Sequence, residues 1–441
     1  MAGIDHSLLG VVGNPILFSK SPDIFNYLFE KNKMPYRYTR LAAETQQEIG
    51  EFLNQLPLLG INITHPFKEE VVPLCQQLSA EAAILDKVNT MVRQIDNTFW
   101  GANTDIFGVE ETLKAHHLEI SGKEALILGA GGAAESAVFT IHKLGGAPLI
   151  ANRTLSKAQQ LAQRFHGRAI KLDEIKQILP TISLIINTLP GKCSLFPAEW
   201  LCDKHLLFNA SYQSSPFSDT AQARGCRIID GRIWLCAQAQ KGFNIFFPNT
   251  DIPPLQEFML GFDQADRIRE QKKQIALIGF MGAGKSVCGR LLSSRLNLPF
   301  VDLDTAIENT AGRTIEQIFQ LNGETYFREI EHQLLAEQLN GVSKVIACGG
   351  GICQNEKNRQ LLQAKCRVIW LWAPFNLLQK RIQEDSSLVR PLARQPELKL
   401  KALYHDRLEN YAHSADLIIS SGIRQPENIM EHLYAELSTL F

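Results

Sequence analysis

The sequence lacks the features that direct a chain to a membrane or to nucleic acid. Its N-terminus has no basic segment followed by a long apolar run, and no apolar stretch approaches the roughly 20 residues that span a bilayer. It also lacks an excess of charge of one sign, since 45 Lys and Arg against 46 Asp and Glu give a net charge of −1. These absences argue against nucleic-acid and anionic membrane partners and favour small-molecule chemistry.

Closely spaced cysteine pairs are missing as well. None of the nine cysteines shows the two-residue spacing of a zinc ribbon or a redox motif, so we interpret them as reduced, mostly buried thiols. Together with the features of the N-terminus, this interpretation predicts a cytoplasmic protein.

The order of apolar runs along the chain predicts the fold class. At 441 residues the chain is too long for one ordinary core, which predicts two or three domains. Short β-rich runs alternate with longer helical patterns almost throughout, so we expect an α/β protein with parallel sheets. The charged segment FDQADRIREQKKQ (262–274) separates two βα series and has the composition of a linker. An exposed helix within one larger domain is the alternative, and a linker can itself be helical.

The first of these series begins with ILGAGGAAESAVFTIHKLG (127–145), a strand pattern followed by glycines and an amphipathic helix pattern. Its glycines would let the backbone approach a pyrophosphate that rests on the positive end of the helix. Where this fingerprint expects an acidic residue, the chain has Asn152, Arg153 and Thr154, followed by Lys157. These side chains suit the 2′-phosphate of NADP, although an arginine at a solvated strand end is the alternative. The loop supplies the predicted cofactor contacts Gly129, Ala130, Gly131, Gly132 and Ala133.

Polar islands in the N-terminal third resemble the substrate motifs of the shikimate dehydrogenase family. They are GNPILFSKSP (13–22), GINITHPFKEE (60–70), DKVNTM (86–91) and GANTD (101–105), and with the glycine-rich loop the resemblance covers roughly residues 5–265. It implies a substrate lobe of about 1–105 with 240–265, and a Rossmann lobe of about 106–239 that binds NADP.

The same resemblance implies roles for individual residues. By this resemblance, Lys68 and Asp105 match the catalytic pair of the family. The chemistry needs such a pair, because the alkoxide that develops during hydride transfer requires a proton donor whose pKa is governed by a partner carboxylate. Ser19 and Ser21 would hold the substrate carboxylate, and Phe18 stands where many members have histidine. The other implied contacts to substrate or nicotinamide are Thr64, Asn89, Tyr212, Gly231 and Gln238.

The second glycine-rich turn, GFMGAGKS (279–286), matches the eight-residue phosphate loop and lies between a strand pattern and a helix pattern. Backbone amides of the loop would form an anion-binding nest, Lys285 would reach the β- and γ-phosphates, and Ser286 would ligate Mg²⁺. No Asn-Lys-x-Asp element follows, which disfavours a GTPase. The predicted ATP contacts are Gly282, Ala283, Gly284, Lys285, Ser286 and Val287.

Five downstream segments resemble those of the shikimate kinase family, and the resemblance covers residues 272–441. They are FVDLD (300–304), ETYFREIE (324–331), CGGG (348–351), LVRPLA (388–393) and YHDRLENYAHSAD (404–416). The resemblance implies that only backbone can approach the acceptor ring at a wall made of Gly349, Gly350 and Gly351.

Charged residues in these segments receive roles from the same resemblance. Asp302 would act on the water shell of Mg²⁺, and Asp304 would accept hydrogen bonds from the acceptor hydroxyls as a candidate base. Arg328 and Arg407 would clamp the acceptor carboxylate, because a planar fork fixes orientation as well as charge. Arg390 would contact the phosphates from a mobile lid.

Together the two resemblances predict a bifunctional enzyme of the shikimate pathway, with domains at 1–265 and 274–441 joined by a linker at 266–273. The first would reduce 3-dehydroshikimate with NADPH to shikimate, and the second would phosphorylate shikimate with MgATP, without channelling between them. Quinate with NAD, another polyol acid for the kinase, and a non-catalytic sensor are the alternatives. Arg153 argues against NAD, and the presence of the catalytic groups argues against a sensor.

Overall fold

The structure is a computed structural model that describes residues 6–191, 193–384, 396–422 and 424–438, apart from the side chains of residues 267 and 268. The chain divides into two compact units. Unit 1 comprises Met1–Gln76, Met91–Phe99 and Asp263–Phe441, and unit 2 comprises Gln77–Thr90 and Trp100–Phe262.

Strands and helices alternate along both units. Residues 6–115 form β1 (Leu8–Gly13), α1 (Ser21–Lys31), β2 (Arg37–Ala42), α2 (Gln46–Gln55), β3 (Leu58–Ile63), β4 (Gln77–Leu78), α3 (Ala80–Leu85), β5 (Thr90–Arg93), β6 (Phe99–Ala102) and α4 (Asp105–Ala115). Residues 124–246 form β7 (Glu124–Leu128), α5 (Gly132–Lys143), β8 (Ala147–Ala151), α6 (Leu155–Arg164), β9 (Arg168–Ile170), α7 (Ile175–Ile178), β10 (Leu184–Asn187), β11 (Leu206–Asn209), α8 (Pro216–Ala223), β12 (Arg227–Ile229) and α9 (Arg232–Phe246). This alternation confirms the predicted α/β class.

The C-terminal part continues the pattern. Its elements are α10 (Leu255–Gln271), β13 (Gln274–Ile278), α11 (Lys285–Leu296), β14 (Phe300–Asp302), α12 (Leu303–Ala311), α13 (Ile315–Gln338), β15 (Val345–Ala347), α14 (Glu356–Lys365), β16 (Cys366–Trp372), α15 (Phe375–Glu384), α16 (Glu397–Ser414), β17 (Leu417–Ser420) and α17 (Pro426–Ser438). Helix α10 runs through the segment that we interpreted as a linker, which fits a helical connection. The domain boundaries themselves stay a prediction.

Unit 1 is built on one sheet, in which the strands follow the order β14-β15-β13-β16-β17-β2-β1-β3-β5. Most of the strand runs are buried, as is usual where helices cover both faces of a parallel sheet, whereas β14 is only half-buried. Strand β17 pairs in parallel with β2, with Leu417 opposite Arg40 and Ile419 opposite Ala42. Strands β13–β17, which accompany the phosphate loop, and strands β1–β3 of the N-terminal segment therefore share one continuous sheet. Sequence reasoning did not predict this pairing.

Unit 2 contains a six-stranded parallel sheet in the order β12-β11-β10-β7-β8-β9. Alternate residues of its central strand β7 point to two separate cores. Ile127 packs in one core with residues of α5, and Leu126 packs in the other with Ile185 and Leu207. Apolar cores on both faces are the arrangement of a doubly wound dinucleotide-binding fold, which confirms the predicted Rossmann class.

The cysteine prediction is confirmed as well. All nine cysteines are free thiols, and most of them are buried. In the described ranges, no helix combines the length and apolar character that crossing a membrane requires.

Candidate active sites

The phosphate loop in unit 1 joins the end of β13 to the start of α11. Gly282 and Gly284 adopt φ values of +79° and +87°, a left-handed conformation that side chains disfavour. The buried Lys285 donates from Nζ to the carbonyl oxygens of Gly279 (2.9 Å) and Phe280 (3.0 Å). An ammonium folded over the first turn of a helix adds positive charge to the free amides there, so the loop fits a phosphate.

Two oxygen ligands lie beside this loop. The hydroxyl of Ser286 donates to Oδ2 of Asp302 at 2.5 Å, while Oδ1 of Asp302 accepts from the amide of Thr305 at 3.3 Å and caps helix α12. Mg²⁺ prefers oxygen ligands and is usually bound through one or two protein oxygens together with phosphate and water. The Ser286–Asp302 pair is therefore suited to hold a magnesium ion that is shared with a nucleotide.

A cleft of about 1000 Å³ opens over the loop. The six loop residues predicted to contact ATP line it, as do Asp302 and Asp304. Three arginines that sequence reasoning missed also line it, namely Arg290, Arg381 and Arg424. Nη1 of Arg381 donates to the carbonyl oxygen of Gly282 at 3.3 Å, which fixes a cation against the loop. No motif in the sequence singled out any of the three arginines.

Beside Asp304, three glycines make room for charged side chains. A Cβ atom at Gly349 would lie 2.7 Å from Oδ1 of Asp304, and one at Gly351 would lie 2.6 Å from Nη2 of Arg328. At Gly350, the carbonyl oxygen accepts from Nη1 of Arg407 at 2.8 Å and also from the hydroxyl of Tyr411. The structure thus brings together the glycine wall, Asp304 and the two predicted clamp arginines.

Arg407 has a donor that no described residue uses. Its side chain is buried on α16, and its Nε finds no hydrogen-bond partner within the described part of the chain. Buried polar groups are almost always paired, so an unpaired guanidinium N–H beside the glycine wall fits an acceptor on a ligand. A carboxylate is the acceptor that pairs best with a guanidinium.

Sequence reasoning did not single out Glu331, although it lies in the quoted segment 324–331. Its buried carboxylate accepts from Nη1 of Arg328 at 2.8 Å, one helical turn away on α13. Burial raises the pKa of Glu331 above its ordinary value, while the nearby Arg328 acts to lower it. The helical spacing of three residues was the available signal. Arg390, the predicted lid residue, lies outside the described residues.

The glycine-rich loop of unit 2 lies between β7 and α5. Gly129 has a φ of +114°, and a Cβ atom there would lie 2.5 Å from Oγ1 of Thr188. At Gly131 and Gly132, by contrast, an added Cβ atom would meet no heavy atom within 4 Å. The start of α5 is therefore open on the side where a pyrophosphate would rest. Ala130 and Ala133 pack partly against the core below.

The residues after β8 present exposed cations. Three exposed residues lie at the start of α6: Arg153, Thr154 and Lys157. The side-chain Nδ2 of Asn152 donates to the carbonyl oxygen of Thr154 at 3.0 Å. Thr154 occupies the cap position of α6 without a side-chain capping bond, so the helix amides there remain available to an anion. This cluster fits a phosphate monoester.

Unit 2 also holds five of the predicted substrate and nicotinamide contacts. Asp105 begins α4 and is buried, and the buried Asn89 accepts at Oδ1 from the amide (2.8 Å) and hydroxyl (3.2 Å) of Thr104. Gly231 approaches a neighbouring strand so closely that a Cβ atom would lie 2.1 Å from the oxygen of Ala210. The remaining two are Tyr212, whose ring meets Phe262 edge-on, and Gln238 on α9.

The other predicted substrate contacts lie in unit 1, at the carboxyl ends of β1 and β3. Thr64 and Lys68 follow β3, while Ser19 and Ser21 lie at the end of the loop that follows β1. The buried Arg40 donates from Nε (3.1 Å) and Nη2 (2.6 Å) to the carbonyl oxygen of Ser19. Phe18, which replaces the histidine of many dehydrogenases, is 45% exposed. Sequence reasoning missed Arg40.

The folds and sites define a chain with two enzyme classes, a dinucleotide-dependent dehydrogenase followed by a phosphate-loop kinase of small molecules. The family model for the shikimate dehydrogenase substrate binding domain matches residues 11–91, the model for shikimate / quinate 5-dehydrogenase matches 110–206, and the model for shikimate kinase matches 281–438. The chain belongs to the shikimate dehydrogenase family in its N-terminal part and to the shikimate kinase family in its C-terminal part.

Individual relatives agree with this assignment. The shikimate dehydrogenase (NADP(+)) of Acinetobacter baylyi is 33% identical over 249 residues, which cover 54% of this chain and 94% of the relative. The shikimate kinase of Sulfurihydrogenibium is 36% identical over 165 residues, covering 37% of this chain and 98% of the relative. Among solved structures, shikimate 5-dehydrogenase from Thermus thermophilus in complex with NADP(H) and shikimate superposes with a TM-score of 0.53 at 26% identity, covering 58% of this chain and 99% of that one.

Proposed function

We propose that the N-terminal part reduces 3-dehydroshikimate to shikimate with NADPH, and that the C-terminal part phosphorylates the 3-hydroxyl of shikimate with MgATP. We place the functional halves at residues 1–265 and 274–441. The observation that carries the proposal lies at the glycine wall beside Asp304, where the buried Nε of Arg407 has no hydrogen-bond partner among the described residues and suits a ligand carboxylate. The proposed product of the N-terminal part, shikimate, is a hydroxylated carboxylic acid and would supply that carboxylate.

In the dehydrogenase, the cofactor would supply the hydride that reduces the ketone. Lys68 would donate the proton that the carbonyl oxygen takes up as its negative charge develops. Asp105 would stabilise the ammonium form of Lys68 and orient it. Ser19 and Ser21 would hold the substrate carboxylate, which is supported by the tight anchoring of their loop through Arg40.

The proposed preference for NADPH rests on the cations at the start of α6. Arg153 and Lys157 are exposed beside uncapped helix amides, so a 2′-phosphate would meet both charge and hydrogen-bond donors. The Acinetobacter relative is named for NADP(+), and the Thermus structure contains NADP(H). Both names support the same cofactor for this chain.

In the kinase, bound MgATP would supply the phosphoryl group. Lys285 and the backbone amides of the loop would hold the phosphates of ATP. Ser286 would bind Mg²⁺ directly, and Asp302 would bind it through a water molecule. Asp304 would orient the acceptor hydroxyl and serve as its base, with Arg328 and Arg407 clamping the carboxylate. By the same family resemblance, Arg390 would contact the phosphates.

The proposal is tested by assaying both activities in the full chain and in two variants. Lys68→Ala should abolish reduction of 3-dehydroshikimate and leave phosphorylation of added shikimate intact. Lys285→Ala should do the reverse, because the two groups serve different reactions. Normal kinase turnover in Lys285→Ala would refute the assignment of the phosphate loop.

A further inference from the structure

The helix at the end of the kinase part, α17, carries an acidic residue that has no place in the kinase reaction. Glu436 is fully buried, with 0% of its surface exposed. Its Oε2 accepts hydrogen bonds from the amides of Ile16 (2.8 Å) and Leu17 (2.7 Å), and its Oε1 accepts a second contact from Ile16 at 3.0 Å. A buried acid thus satisfies two backbone donors that lie 420 and 419 residues away in sequence.

These two amides belong to the loop between β1 and α1. This loop contains Ser19 and leads into Ser21, the first residue of α1. Ile16 and Leu17 are buried, and the carbonyl of Ile16 accepts from the amide of Ser19 at 2.9 Å. Fixing Ile16 therefore fixes the position of Ser19 through the backbone. The pKa of Glu436 is raised by its burial and lowered by these same amides.

A second contact from outside the N-terminal segment holds the same loop. Arg269, on α10, donates from Nη1 to the carbonyl oxygen of Phe18 (3.0 Å) and from Nη2 to that of Ser19 (2.5 Å). It also pairs with Asp23, whose Oδ2 lies 2.7 Å from Nη2 of Arg269 and equally close to Nη2 of Arg40. The amides of the loop are thus held by α17 and its carbonyls by α10.

We propose that Glu436 is a positioning residue of the dehydrogenase, through which helix α17 of the kinase part holds the loop that binds the substrate carboxylate. The inference deepens the proposed function and rests on its assignment of Ser19 and Ser21. Loss of the Glu436 carboxylate leaves two buried amides without acceptors, and such groups are costly to leave unpaired. The loop then shifts to find new partners, and the serines move with it.

The test uses the full chain with Glu436→Ala, the isosteric Glu436→Gln, and the control Glu431→Gln. Glu431 lies on the same helix, and its side chain is 60% exposed. For each protein, kcat and KM are measured for 3-dehydroshikimate, for NADPH and for the kinase reaction. In Glu436→Ala we expect the KM for 3-dehydroshikimate to rise about tenfold, with the KM for NADPH and both kinase constants within about twofold of wild type.

In Glu436→Gln the amide oxygen still accepts from the loop, but more weakly than a carboxylate, so we expect a rise of only about threefold. Should Glu436→Ala fail to fold, this variant decides the question. An unchanged KM for 3-dehydroshikimate in the folded variants would overturn the inference. A parallel loss of dehydrogenase and kinase activity in both variants would overturn it too, because it would indicate a general structural role.

Ser19→Ala separates this inference from the function on which it rests. If Ser19→Ala leaves the KM for 3-dehydroshikimate unchanged, the loop does not bind the substrate, and the proposed function is wrong at this point. If Ser19→Ala raises that KM while Glu436→Ala does not, only the role of Glu436 is refuted.

Discussion

The hydroxyl oxygen of Ser286 lies 2.5 Å from Oδ2 of Asp302, so the first turn of α11 and the end of β14 present two oxygen ligands side by side. Asp302 is held in this position because its other oxygen caps α12. The proposed cation site of the kinase is thus held by regular secondary structure.

Replacing Asp302 by asparagine should weaken the kinase at its metal site. We expect kinase kcat to fall about tenfold to a hundredfold, and the Mg²⁺ concentration for half-maximal rate to rise, because the amide lacks the charge that binds the hydrated ion. Titrating Mg²⁺ in the kinase assay measures both changes. Glu337→Gln, at an exposed acid on α13, serves as the control, and an unaltered Mg²⁺ dependence in Asp302→Asn would contradict the assignment.

Replacing Arg153 by alanine should reduce the preference for NADPH. Loss of a charge-assisted contact to the 2′-phosphate should raise the KM for NADPH about tenfold or more and leave the KM for NADH unchanged. The matched control is Arg168→Ala, since Arg168 is exposed and begins β9, at the opposite ends of the strands. Equal effects on both cofactors would argue against a phosphate contact.

Replacing Gly351 by alanine should impair use of the acceptor by the kinase. The new Cβ atom would lie 2.6 Å from Nη2 of Arg328, so the guanidinium must leave the position it holds beside Glu331. We expect kcat/KM for shikimate to fall about tenfold to a hundredfold. Gly50→Ala is the control, because a Cβ atom there meets nothing within 4 Å. A Gly351→Ala enzyme with wild-type kcat/KM would show that Arg328 does not clamp the acceptor.

His432 should make the stability of unit 1 depend on pH. Burial, and then the charge of Arg424, lower the pKa of His432 to about 4, whereas an unfolded histidine titrates near pH 6.5. Between these values the unfolded chain binds the proton more strongly, so His432 lowers stability progressively as pH falls from about 6.5 to about 4, by roughly 3 kcal/mol in all. The other charged groups that face the ring are Glu44 and Glu436, at 3.4 Å and 3.8 Å from its nitrogens.

Thermal unfolding of wild type and His432→Gln between pH 4.5 and 7.5 measures this effect. The variant should lose less stability on acidification than wild type. His405→Gln, at an exposed histidine on α16, should behave as wild type does. Parallel curves for His432→Gln and wild type would mean that His432 does not carry the pH dependence.

Much of the fold and of both sites could be predicted because the signals are local. The phosphate loop and the dinucleotide loop each lie within one strand, turn and helix, so residue spacing alone indicates them. Asp304 and Gly349 could be assigned through motif resemblance, and the structure brings them within contact of each other.

Most of the features that escaped prediction are made by residues distant in sequence, whereas Glu331 lies only three residues from its partner Arg328. The pairing of β17 with β2 joins buried apolar strands that carry no mark of their partners. Glu436 appears in the sequence as one acid in an amphipathic helix, and only folding brings it to the amides of Ile16 and Leu17. Arg40 escaped prediction because its acceptor is the backbone carbonyl of Ser19, and a backbone acceptor leaves no mark in the sequence.

The most direct measurement follows products over time in one mixture of the full chain with 3-dehydroshikimate, NADPH and MgATP. We expect NADPH oxidation with transient shikimate and then shikimate 3-phosphate, at the transient level that two independent sites produce. Lys285→Ala should stop the sequence at shikimate, and Lys68→Ala should prevent it from starting. Failure of the wild-type chain to oxidise NADPH, or accumulation of shikimate without its phosphate, would contradict the assignment of two consecutive activities to this protein.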